Sequence, residues 1–500
     1  MATVSLPDDP SFEQLRKQAK KLRDQARAGM PAALALVAAH HPDAPARPVT
    51  LAGAQLVVAR RYGFSSWAAL KRHVQTIERY RRAPDEVNEA SALADQFLLH
   101  ACLRYGRDDA APRWHYAARL LAQHPEITRA SVPAAAAAAD VDALTALLAE
   151  DGAQANAESG PFRWQPLLYL VYARHDPYID RAATLQTARL LLDHGADPDA
   201  GYLWHGLTTA FTALTGALGG GEVGQPAHPH GFELARMLLA AGANANDGQA
   251  LYNRQFGADN THLALLLEHG LGLGDGGPWR ARLSSAAPSP SELVRDQLWW
   301  AVVHDMADRV RLLAEHGAAI DSPFDMAGDP RAYVRTAHGK TPAQLAALCG
   351  CPAVLDYLVE HGAQRPPAQG ADGLIAALLA GDSATVQRLR EHAAAARRQR
   401  PGLIAWAVAR QAWHAVPVLV ELGFDINART RTDVPLEQEW HTALHEAASD
   451  NNVDGVRLLI DLGADPTIKD ARFDATALGW AEHFGHRAVA DFLRTLTTAE

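Results

Sequence analysis

Twenty-three histidines, three cysteines and one Gly-Lys-Thr tripeptide are where this 500-residue chain could do chemistry. Gly339-Lys340-Thr341 ends like a phosphate-binding loop, whose amides and lysine would cradle phosphate oxygens. However, Val334 stands where the leading glycine belongs, and Pro342 follows where a helix should offer free amides. Gly219-Gly220-Gly221-Glu222-Val223-Gly224 has no strand ahead of it and reads as a flexible loop. A metal site is equally weakly signed. His441 and His445 are four residues apart beside Glu446, and His228-Pro229-His230 lacks an evident third ligand. His194, His269, His316 and His361 each stand just before a glycine, which suggests a structural repeat. Cys102, Cys349 and Cys351 make neither a zinc spacing nor a disulfide framework. Ser65-Ser66 reads as a helix cap, and Asp108-Asp109 as solvated carboxylates. No catalytic residue, metal ligand or cofactor is assigned.

The elements that would position any site are repeated ones. Leucine-rich helix tails run into a glycine turn at Gly152, Gly195, Gly242, Gly317, Gly362 and Gly463, with looser copies at Gly270 and Gly423. A degraded copy ends near His392, and a cap-like unit closes the C-terminal side. Each unit reads as a short helix, a turn, a longer helix ending in Leu-Leu, and an Asp/Asn-rich hairpin. Stacked units build a long surface, so binding becomes the default expectation. Insertions are expected between the paired helices at Arg174–Thr184 and Gly219–Gly231. Others fall on the hairpin side at Gly272–Pro290, Ser322–Gly339 and Arg429–Glu439.

The unit Thr442-Ala443-Leu444-His445-Glu446-Ala447-Ala448, closing at Gly463-Ala464-Asp465-Pro466, resembles the ankyrin repeat, as do Thr341-Pro342, Gln165-Pro166-Leu167 and Ala475–Leu478. The resemblance covers roughly residues 88–498. It implies a predominantly all-α solenoid of about ten helix-turn-helix units. It also implies that His445 ties neighbouring hairpins by hydrogen bonds, and that a protein partner sits on the concave face. Marker glycines lie 28 to 61 residues apart, against a period of ~33 for the family, so most units are lengthened. In register with Glu446, on the concave helix, stand Tyr169, Trp300 and Trp406; Trp164, Tyr172, Trp204, Tyr252, Trp299 and Trp440 lie nearby. These nine aromatics are the expected partner-binding set, since aromatic side chains bury much area with few torsions. The competing account packs them half-buried between units. An alternative function is a small-molecule-binding protein or enzyme, with its pocket formed by the inserted loops.

Residues 1–82 form a separate helical module, with helices expected after Ser11, from Leu51 to Tyr62 and from Ser66, and a turn at Pro42–Pro48. Ser11–Lys20 and Gln55–Trp67 resemble a helical segment that precedes ankyrin arrays in bacterial proteins, which implies a bacterial origin. The module carries 14 Lys and Arg against 6 Asp and Glu, a net of +8, so the rest of the chain carries −18 of the total −10. An acidic array offers no basic stripe to nucleic acid; only the helix holding Arg16 to Arg27 could. The module is expected to cap the apolar end of the first unit, or alternatively to lie over the groove as a lid. No signal peptide or membrane-length apolar run is read from the sequence, and the expected location is the reducing cytoplasm.

Overall fold

The computed structural model describes residues 4, 6–7, 10–41 and 48–497. The chain is predominantly helical, with three short strands among the described residues. It divides into two compact units, Met1–Leu293 and Val294–Glu500.

The first unit opens with α1 (Phe12–Arg27), α2 (Pro31–His40), α3 (Leu51–Arg61) and α4 (Trp67–Tyr80). Ser11, Thr50 and Ser66 cap α1, α3 and α4 by accepting hydrogen bonds from Gln14 N, Gly53 N and Ala69 N. Leu15, Ala19, Leu22 and Ala26 recur at helical spacing and bury α1 against Ala54, Val57 and Val58 of α3. The helix α2 was not anticipated. Its sequence is apolar on most sides and shows no period, although only Ala33, Val37 and His40 are buried. The turn expected at Pro42–Pro48 lies, apart from Pro48, outside the described residues.

Helix pairs follow. In the first unit the leading helices Leu93–Ala101, Val132–Ala137, Pro166–Tyr172, Ala213–Leu218 and Gly248–Arg254 pack each on the next. In the second, Pro342–Cys349 packs on Gly370–Ala380, and Leu403–Ala409 on Ala443–Ser449, itself against Ala477–His483. Seven of the eight marker glycines hold φ between 80° and 101°, a conformation that a side chain would strain. Gly152 is the exception and instead starts the short 3-10 turn Gly152–Asn156. Near His392 there is no glycine turn; helix Ser383–Leu389 runs through Arg390–His392 into Ala393–Gln399.

The four pre-glycine histidines have one shared task. The Nδ1 of His194, His269, His316 and His361 lies 2.8–2.9 Å from the carbonyl oxygen four residues back. Each ring thus adds a bond to a carbonyl of the last helical turn; Leu190 O and Tyr357 O also accept the amide of the same histidine, whereas the amides of His269 and His316 turn to Leu266 O and Leu313 O.

The lengthened hairpins carry structure of their own. Strands β2 (Gly201–Trp204) and β3 (Ala210–Thr212) form an antiparallel hairpin turned at His205 and Gly206, both at positive φ. Strand β1 (Arg81–Arg82) adds to β2 in parallel, with Arg81 opposite Leu203 and Arg82 opposite Trp204. A helix, Gly277–Leu283, fills the next insertion. The N-terminal helices dock here. Ile77 packs with Leu203, Ala210, Trp279 and Leu283, and the Tyr80 ring meets Trp279 edge-on at 5.0 Å. Arg79 and Arg82 both pair with Glu158, at 2.8 and 2.9 Å. The module thus meets the array at the hairpin that follows Gly152, at the β2–β3 hairpin and at the inserted helix. Within the module α4 packs on α3, and beyond it Ile77 finds cover on the hairpin and the inserted helix.

Candidate partner-binding surface

The nine aromatics divide by burial. Trp164, Tyr169, Tyr172, Trp299 and Trp406 are at most 3% exposed, so these five do not line an open face. For three of them the polar atom is satisfied inside the fold. Tyr169 Oη donates to Ser159 O at 2.8 Å and accepts from Phe162 N at 3.1 Å. Tyr172 Oη donates to Thr212 O at 3.0 Å, and Trp406 Nε1 to Cys349 O at 3.0 Å. Arg400 and Arg410 lie 4.9 and 4.3 Å from the Trp406 ring. In the first unit Phe162, Trp164, Tyr169, Tyr172, Tyr202 and Phe211 form one packed aromatic core. The expectation of a surface role for those five is corrected: the large rings fill the space between helix pairs, with the polar atoms of Tyr169, Tyr172 and Trp406 bonded and the Nε1 of Trp164 and Trp299 buried without a partner among the described residues.

Trp204, Tyr252, Trp300 and Trp440 remain half-buried or exposed. Trp204 Nε1 donates to Arg104 O at 3.2 Å, which holds its ring beside the β2–β3 turn. Tyr252 Oη donates to Glu222 of the glycine-rich insertion at 2.5 Å. The Trp300 ring stacks on His304, 3.8 Å between centroids, and burial pushes His304 down to about 4.

Trp440 has the most developed surroundings. Guanidinium groups flank it: Arg431 at 5.5 Å and Arg472 at 5.0 Å from the ring. Arg431 also lies 5.7 Å from Tyr333, and Arg472 lies 5.3 Å from Phe473, whose ring is 63% exposed. Rings and guanidinium groups thus alternate along the hairpin tips of the second unit. Arg431 is paired with Asp433, and that hydrogen bond raises its pKa further. Arg472 makes no ion pair among the described residues. The turn beneath is held by Asp470, which is 3% exposed and accepts from Arg472 N, Phe473 N, Ala475 N and Trp480 Nε1 at 2.6–3.1 Å. Tyr333, Arg431, Arg472 and Phe473 were missed because they come from three segments far apart in sequence, two of them insertions without a repeat register.

Behind this row sit His441, Glu446 and Thr432. His441 Nε2 is 2.7 Å from Glu446 Oε2 and 3.2 Å from Thr432 Oγ1, and the hydroxyl also donates to Glu446 at 3.0 Å. A nucleophile–base–carboxylate relay needs both ring nitrogens, one for each neighbour. Here a single nitrogen meets both, while Nδ1 is buried without a partner. The geometry braces a hairpin. His445 Nε2 bonds Ala475 O of the following hairpin at 3.0 Å, while its Nδ1 bonds Thr442 Oγ1 at 2.8 Å. The three cysteines are free and buried, and burial pushes the Cys102 thiol up to about 12, far from a neutral-pH nucleophile.

The family model for ankyrin repeats in three copies matches residues 373–470, which include Trp406, Trp440 and the Glu446 brace. Over 189 residues, 38% of this chain, it is 28% identical to the ankyrin repeat and KH domain-containing protein mask-1 of Caenorhabditis elegans. The chain spans only 6% of that relative's length. Ankyrin repeats are thus present in this chain. No helix of the described residues is long and apolar enough to cross a membrane.

Proposed function

We propose that this chain is a protein-interaction scaffold, and that the alternating arginine and aromatic side chains on the hairpin tips of residues 294–500 contact the partner. The supporting observation is the row Tyr333, Arg431, Trp440, Arg472 and Phe473, set beside repeats of a type used for protein binding. Trp and Arg are the residues most often dominant at interfaces, because each joins large contact area to directional polar groups. A partner segment with carboxylates beside apolar side chains complements this row. Trp204, Tyr252 and Trp300 are proposed as secondary contacts. Residues 1–82 are read as a bacterial-type module placed ahead of the array at 88–498, and three buried free thiols suit a reducing, cytoplasmic setting.

The test is affinity capture from native lysate with the full chain and with Trp440→Ala/Arg472→Glu. The reading expects a specific protein to be recovered by the parent chain and lost with the variant, at unchanged helicity. Equal recovery by both chains, or no partner together with turnover of a small metabolite, defeats it.

A further inference from the structure

A cleft of about 590 Å³ opens in the first unit between α4 and the inserted segment that ends helix Gly277–Leu283. Its size falls within the range of small-ligand sites, ~300–1,000 Å³. Its lining includes Arg72, Arg79 and Arg282 and, among the described residues, no carboxylate. On α4, Arg72, Gln75, Thr76 and Arg79 stand at i, i+3, i+4 and i+7, which places them on one helix face. Arg79 is partly neutralised by Glu158 at 2.8 Å. Arg72 is exposed and makes no ion pair among the described residues. Across the cleft, the Arg282 guanidinium is held 4.7 Å from the Trp279 ring and 5.2 Å from Tyr80, with Asp197 only at 3.9 Å.

Hydrogen-bonding groups complete the lining. Ser284 and Ser285 sit on the inserted wall, and Ser284 is held at φ 53° and ψ −130°, a backbone region that a side chain adopts only when its surroundings force it. Thr76 Oγ1 donates to Arg282 O at 3.4 Å and ties the two walls together. His73 also lines the cleft, is 7% exposed, and has a buried Nδ1 with no partner. A buried polar atom without a partner is destabilising unless something supplies the missing bond.

We propose that this cleft binds a phosphate-bearing small molecule, with Arg72 and Arg282 clamping the anion from opposite walls and His73, Ser284 and Ser285 supplying hydrogen bonds. Guanidinium groups bind phosphate through charge-assisted, often bidentate bonds, and hydroxyls adapt to the remaining oxygens. The site depends on the inserted helix, which accounts for an ordered insertion where a plain repeat would have a short hairpin. It is independent of the partner-binding surface proposed above.

The test uses the full chain at fixed ionic strength, titrated calorimetrically with inorganic pyrophosphate and with adenosine monophosphate. Binding of at least one probe is expected, weakened about tenfold or more by Arg72→Ala. Arg72 is exposed and unpaired, so its loss leaves the fold intact; Arg16→Ala on α1 serves as the charge control. Preference for the nucleotide would indicate a ligand that also uses the Tyr80 side of the cleft, and preference for pyrophosphate one held by its anion alone. Absence of binding by both probes at millimolar concentration overturns the proposal. So does binding that Arg72→Ala and Arg16→Ala reduce equally.

Discussion

Replacing Arg174 with methionine should loosen the glycine-rich insertion. The guanidinium is buried and has no carboxylate partner among the described residues; it donates instead to four carbonyl oxygens. Nε reaches Pro226 O at 2.8 Å, Nη2 reaches Gly216 O at 2.6 Å, and Nη1 serves Val171 O and Ala173 O at 3.0 and 2.8 Å. Burial lowers its pKa to about 10, so it stays charged at neutral pH at a desolvation penalty of about 3 kcal/mol. Methionine relieves that penalty but leaves the carbonyls unpaired, each destabilising by about 2 kcal/mol. The carbonyls outweigh the relief, for a net loss of about 5 kcal/mol, largest where Pro226 and Gly216 anchor the insertion. Native-state hydrogen exchange on the full chain should show lost protection in peptides covering residues 213–231, with Arg174→Lys intermediate because it keeps the charge and three donors. Unchanged protection in Arg174→Met would refute the claim that a buried cation holds this loop.

Two further substitutions test the same unit. Gly216→Ala should destabilise by about 2 kcal/mol or more, although alanine is the better helix former, because its Cβ would come within 2.3 Å of the Tyr172 ring and 2.9 Å of Val171; a higher melting temperature would contradict the close helix approach. His175, 4% exposed, is pushed down to about 4 by burial, partly opposed by Asp176. The unfolded chain therefore takes up its proton first as pH falls. That stabilisation, about 3 kcal/mol, is present above pH ~6.5 and lost towards pH ~4. Asp247 runs the other way: burial raises it to about 6, so its carboxylate is least favourable above that pH and stability is regained as pH falls to ~4. His175→Phe should accordingly be less acid-sensitive than the parent chain over pH 6.5–4 when local stability is followed by exchange of residues 166–193. Identical pH dependence would show that the ring titrates normally in the fold.

Much of the helical frame was legible in the residues alone. The Leu-rich tails, the glycine turns and the Ser11 and Ser66 caps are local devices, and each acts within about one helical turn of its own position. Repetition made them readable, because the same few interactions recur at each unit. The strands and the direction of the rings were not legible in this way. Gly201–Trp204 pairs with Arg81–Arg82 more than a hundred residues earlier, and no local pattern encodes a partner at that distance. Trp164, Tyr169 and Trp406 share the composition of an interface anchor but lie inside, since their fate depends on which neighbours close over them. The arginine–aromatic row and the basic cleft likewise join segments that lie far apart in sequence. Sequence determined the repeating helical pairs because their stabilisation is local; tertiary structure decided which aromatics and cations face solvent, because burial belongs to the packed assembly and not to the residue.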